Sequence, residues 1–160
     1  MSDMPQRRAI CQLCFAEQLV VWAARAWLTG RDGRARVKAE LARAFGDVDG
    51  QATAAALGGF VAVLDSAALR TLYLGPMTCR MVWPDEERLL ATVRYVHADL
   101  EEAAQRVLEP ILPPAARRAA LERASALARH LADAGYRIGF GGPLSPDAVA
   151  GAGRLRPTLH

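Results

Sequence analysis

Ile10–Leu28, ICQLCFAEQLVVWAARAWL, is the stretch on which the fold turns. At about 100° per residue, Ile10, Leu13, Cys14, Val20, Val21, Ala24 and Leu28 share one broad face with Glu17 near its centre. Cys11, Phe15, Leu19, Trp22 and Ala26 make a second apolar stripe, leaving a narrow polar edge. A helix that is apolar almost all round is a buried one, so the pattern predicts the central helix of a bundle. Asp3 and Pro5 supply its start and Thr29-Gly30 its stop.

Downstream, Ala35–Phe45 reads as a second helix, apolar at Val37, Leu41 and Phe45 and basic on its other side, closed by Gly46. A third runs from Gln51 to about Leu74 with no charge between Asp49 and Asp65, and Gly58-Gly59 within it marks a close approach of another helix or of a ligand. Leu74–Trp83 is a non-helical insertion rich in Met, Trp and Cys. Pro84-Asp85-Glu86-Glu87 then starts a fourth helix, with three acids at the positive end of its dipole. That helix extends to about Glu109, and Pro113-Pro114 opens a fifth, striped by Leu121, Ala124, Leu127, Ala128 and Leu131. The expectation is an all-α, single-domain bundle of about five mostly antiparallel helices over residues 1–138. A mobile Gly/Pro-rich tail over 139–160 completes it.

Composition narrows the function classes. The chain of 160 residues suits one core. Nineteen of its twenty basic residues are Arg, Lys38 being the exception, and the net charge of +3 is small, which argues against nucleic-acid binding. Residues 31–46 are basic and residues 75–110 acidic, so the two segments are expected to attract one another across the bundle. Glu17, Gln12, Gln18 and Arg25 argue against a membrane span in Ile10–Leu28. The start MSDMPQRR lacks the pattern of a secretory leader, and three irregularly spaced cysteines do not make a disulfide framework, so a cytoplasmic location is expected.

The motifs are sparse. Cys11-Gln12-Leu13-Cys14 is a single CxxC whose only further thiol is Cys79, a poor set for a zinc site that wants four ligands. With helices running up, down, up, down, Cys11 and Cys14 lie near one end and Cys79 near the other. The four residues Asp47–Gly50 open like a calcium loop but lack the later oxygen ligands. Glu-x-x-His spacing of the di-iron type is absent at His97 and His130. No nucleophile and base are assigned, so no catalytic residues are expected.

Height in the bundle offers one constellation. At 1.5 Å per residue, Glu17 lies about 16 Å and His97 about 18 Å below the same end, so a buried Glu17–His97 hydrogen bond with Cys14 one turn away is expected. Two functions follow. The first is a non-enzymatic cytosolic interaction or regulatory protein without a cofactor, binding a protein partner or itself. Its contacts would come from Met77, Arg80, Met81 and Trp83 on the insertion and from Arg34, Arg36 and Lys38 on the basic helix face. The alternative is a metal-, haem- or small-ligand-binding bundle centred on Glu17, His97 and Cys14.

Overall fold

A computed structural model describes residues 7–139. It contains six α-helices packed together: α1 (Phe15–Leu28), α2 (Arg31–Phe45), α3 (Asp47–Ala67), α4 (Pro84–His97), α5 (Glu101–Leu108) and α6 (Pro114–Asp133). Among the described residues there is no β-strand, only an isolated antiparallel bridge between Ala9 and Met81. The all-α reading therefore holds, with one helix more than expected. The expected tail, residues 139–160, lies outside the described residues except for Gly139.

The extra helix comes from a break in the fourth. Asp99 adopts φ of 59°, and the Leu100 N–H donates to Tyr95 O at 2.8 Å while the Asp99 N–H donates to Val96 O at 3.2 Å. These two bonds are a Schellman cap, with Asp in the left-handed position that Gly usually fills. α6 ends the same way with the usual residue: Gly135 has φ of 84°, and Tyr136 N–H donates to Leu131 O at 2.8 Å. Tyr136 then packs on Phe15 and Phe45, with ring centroids 5.3 and 5.2 Å away, which ties the segment after α6 to α1 and α2.

The first helix is shorter than its apolar pattern. Ile10–Gln12 makes one 3-10 turn, Leu13 and Cys14 are extended, and Cys14 is the N-cap of α1. Two forces set that start. The Ile10 N–H donates to Arg80 O and the Val82 N–H to Arg8 O, so the segment before the turn pairs with the insertion instead of coiling. Glu17, third in the helix, accepts the Cys14 N–H at 3.2 Å and closes a capping box.

α3 also ends early, at Ala67, because backbone groups after it find tertiary partners. The Leu69 N–H donates to Ile111 O at 2.9 Å, the Tyr73 N–H to Asp85 at 2.8 Å and the Gly75 N–H to Glu86 at 2.8 Å. Residues 68–83 thus run extended across the start of α4, and the insertion is longer than its composition suggested.

α3 and α6 make the most extensive helix interface, followed by α2 with α3; α1 packs on α2, α3 and α4. Phe60, Leu57, Leu90, Leu108, Leu127 and Leu131 are among the largest fully buried side chains. Gly58 and Gly59 serve packing. A Cβ on Gly58 would sit 2.1 Å from the Trp27 ring, and one on Gly59 2.9 Å from the Arg123 side chain. α2 touches α1 and α3 while α5 touches α4 and α6, so the basic and acidic segments do not form a helix–helix interface with each other. No helix among the described residues is long and apolar enough to cross a membrane.

Candidate functional site: the buried ion pairs and the exposed basic face

Two buried ion pairs join α1 to the antiparallel α4. At the upper one, the Arg25 Nε donates to Glu86 Oε1 at 2.6 Å and Nη2 to Oε2 at 2.8 Å, with both side chains at most 4 % exposed. The remaining Arg25 donors reach the insertion: Nη1 to Pro76 O at 3.0 Å and Cys79 O at 2.6 Å, and Nη2 to Met81 O at 2.9 Å. All five guanidinium donors are used. Glu86 in turn accepts the Gly75 and Trp83 N–H groups, each at 2.8 Å. The backbone of Gly75 lies so close that a Cβ there would meet Arg25 Nη2 at 2.8 Å.

Two turns away, Glu17 pairs with Arg94. Arg94 Nη1 also donates to Glu87 at 2.8 Å, and Glu87 takes a bidentate contact from Arg8 at 2.6 and 2.8 Å. Arg94 Nη2 is buried without a hydrogen-bond partner. Burial opposes ionisation of Glu87, but hydrogen bonds from Arg8 and Arg94 outweigh it and hold its carboxyl below the ordinary range. The same contest resolves the same way at Asp85, where Arg70 and the Tyr73 N–H overcome burial. The three acids that open α4 therefore each capture a different part of the chain.

The expected Glu17–His97 bond is not formed. Each Glu17 oxygen is taken, one by Arg94 and one by the Cys14 N–H, and half-buried His97 lies one turn beyond. Glu17 does face α4 at about the expected height, since the paired positions 25/86 and 17/94 keep the register of two antiparallel helices. What height alone does not reveal is Arg94, which stands four residues after Leu90 on the inward row and reaches farther than an imidazole. Arg25 was missed because a cation between apolar stripes reads as an edge residue, and only the insertion's carbonyls explain its burial.

Glu17 and Cys14 are brought together, but as a cap. Burial raises the Cys14 thiol above its ordinary value, with the Glu17 charge adding to it, although a helix N-terminus alone would lower it. Cys14 Sγ donates to Arg137 O at 3.6 Å. Cys11 is exposed and Cys79 half-buried. The expected separation of Cys79 from Cys11 at opposite ends is overturned, because the Ala9–Met81 bridge brings the insertion back beside the CxxC segment. No group of three or more His, Cys, Asp or Glu side chains suited to a metal occurs among the described residues.

On the insertion, Met77 and Trp83 are half-buried, Arg80 and Met81 exposed, and Arg7 stacks over the Trp83 ring at 5.6 Å. On α2, Arg34, Arg36 and Lys38 are exposed; Arg34 lies over Trp27 at 5.8 Å and Arg36 over Trp22 at 5.6 Å. A pocket of about 30 Å³ opens between the ends of α1 and α3, lined by Leu28, Val61, Leu64, Leu72 and Leu89 with Asp65 and Asp85. It has room for water, far below the roughly 300–1,000 Å³ of a small-molecule site, and it does not touch Glu17 or His97. Comparison with protein-family models, with curated proteins and with solved structures finds no match to this chain.

Proposed function

We propose that the protein is a non-enzymatic interaction protein that docks an acidic protein partner on the outer face of α2. The observation that carries this reading is the basic, aromatic-backed surface of that helix. Arg31, Arg34, Arg36 and Lys38 are exposed and form no salt bridge among the described residues, while Arg43 is already held by Glu40. Trp22 lies under Arg36 and Trp27 under Arg34, two positions about 200° apart around α2, so one guanidinium plane is supported on each flank of the helix at little entropic cost. Such preorganised arginines over aromatic rings suit carboxylate recognition and are typical of interface anchors.

The paired carboxylates favour this reading over catalysis, since buried Asp85, Glu86 and Glu17 and half-exposed Glu87 are engaged by arginines and backbone amides. They weigh equally against the ligand-binding alternative centred on Glu17, His97 and Cys14. The insertion, with exposed Arg80 and Met81, extends the candidate surface.

Titration with a fluorescent oligoglutamate peptide, followed by peptide anisotropy, tests the proposal. Binding should weaken steeply with salt and fall at least about tenfold in Arg34→Glu/Arg36→Glu. Equal binding by that variant overturns it, as does tighter binding of a single-stranded oligonucleotide than of the peptide. A bound metal or chromophore in elemental analysis and absorption spectra would replace it with the ligand-binding reading.

A further inference from the structure

We propose that Cys11 and Cys79 are a redox pair that closes to a disulfide and clasps the segment before α1 to the insertion. The argument rests on register. Ala9 faces Met81, the Ile10 N–H donates to Arg80 O at 2.7 Å, and the Val82 N–H donates to Arg8 O at 2.9 Å. In every pair the two residue numbers sum to 90, and the stack of Arg7 on Trp83 keeps the same sum. The next pair on the face of Arg7/Trp83 and Ala9/Met81 is Cys11 opposite Cys79.

The geometry at that position suits a cross-strand bond. With bonds at 10/80 and 82/8, Ala9 and Met81 are a non-hydrogen-bonded pair, and so is 11/79 when the ladder is continued by two residues. Such partners have Cα atoms about 4.5 Å apart, within the roughly 4.4–6.8 Å that a disulfide spans. The 3-10 turn Ile10–Gln12 now bends Cys11 off the ladder; none of its residues is fully buried, although Ile10 packs partly against the core. On the other side, Cys79 starts the extended run after a turn closed by its own N–H to Pro76 O at 2.9 Å.

The chemistry separates the three thiols. Cys11 is exposed. At Cys79 the Met81 backbone and the Trp83 Nε1–H, 3.4 Å from Sγ, hold the thiol below its ordinary value, which favours the thiolate. Cys14 is the reverse case, raised by burial and turned toward Arg137 O.

With a hydroperoxide as oxidant, the Cys79 thiolate attacks the near oxygen. The O–O bond breaks, the leaving oxygen departs protonated as water or alcohol, and Cys79 becomes a sulfenic acid. Cys11 sulfur then attacks Cys79 sulfur, the S–O bond breaks, and the oxygen leaves as water with the Cys11 proton. Two thiols lose two electrons and the peroxide gains them. The product fixes Met77–Trp83, the part of the insertion that extends the proposed partner surface, in one conformation.

The test treats the full-length chain with hydrogen peroxide, alkylates it and maps tryptic peptides without reduction. The expected product joins Ala9–Arg25 to Thr71–Arg80, survives in Cys14→Ser and is lost in Cys11→Ser and in Cys79→Ser. In the oxidised protein the melting temperature should drop on reduction by an amount on the order of 5 °C. A Cys11–Cys14 bond, a bond that needs Cys14, a dimer joined through Cys11, or sulfinic acid at Cys79 without cross-linking overturns the proposal. Circular dichroism of each Ser variant shows whether the helices are kept; if the Cys11 or Cys79 variant loses them, the Cys14→Ser map still decides, and if the Cys14 variant does, fragmentation of the wild-type cross-linked peptide between Cys11 and Cys14 assigns the bond.

Discussion

The two ion pairs across the α1–α4 seam use the same residue types at similar depth, yet they have different jobs. Arg25–Glu86 is saturated: three loop carbonyls and two loop amides converge on it, so it replaces the hydrogen bonds that the extended insertion cannot make with itself. Glu17–Arg94 joins helix to helix, caps one amide and leaves Arg94 Nη2 without a partner. A buried ion pair contributes through what else it holds, because desolvation offsets most of the attraction between the charges.

The largest effect should follow from breaking the saturated pair. Glu86→Ala leaves a buried guanidinium and two loop amides unpaired, and urea unfolding should show a loss on the order of 3–5 kcal/mol. Glu17→Ala should cost less, roughly 2–3 kcal/mol, since Arg94 retains Glu87 and a single capping amide is freed. Gly58→Ala lies on the other side of α1, away from both pairs. Its Cβ would fall 2.1 Å from the Trp27 ring, and overpacking should cost about 1–3 kcal/mol with the insertion unaffected; amide exchange at Gly75 and Trp83 checks that the effect is local.

Acid should act through the two carboxylates at the start of α4 that are held by arginines, buried Asp85 and half-exposed Glu87. Asp85 and Glu87 are held below their ordinary values in the folded chain, so the stability they add is present above the unfolded carboxyl range and is lost as pH falls through the folded values. Thermal melts should therefore decline below about pH 4, and less so in Glu87→Gln. Glu40→Gln should have the smallest effect, below about 0.5 kcal/mol, because its Arg43 partner is a solvated neighbour on the same helix.

Much of this architecture was legible from the chain alone. Apolar spacing, Gly46 and Pro84 mark four helices because those signals are local. The breaks at Leu13, Ala67 and Asp99 were hidden, since each depends on a distant partner or on Asp taking a position that favours Gly. Glu17 stood out as a carboxylate in an apolar helix, and its depth located α4 to within one turn. Its partner is Arg94 and not His97, because the long arginine side chain carries its charge to Glu17 from the inward row of α4. Cys11 and Cys79 could not be placed together from helix direction, since an extended segment doubles back along the bundle. The α2 basic face was visible as a charge run, but its tryptophan supports come from another helix.

Replacing each pair with leucines tests the contrast most directly. Arg25→Leu/Glu86→Leu and Glu17→Leu/Arg94→Leu both remove two buried charges, and in many proteins such an exchange is neutral or stabilising. Urea unfolding should place the first variant several kcal/mol below wild type, because five backbone groups of the insertion lose their partners, on the order of 1 kcal/mol each. The second should fall within about 2 kcal/mol of wild type. A first variant as stable as wild type, or less affected than the second, would contradict the claim that Arg25 and Glu86 hold the insertion on the bundle.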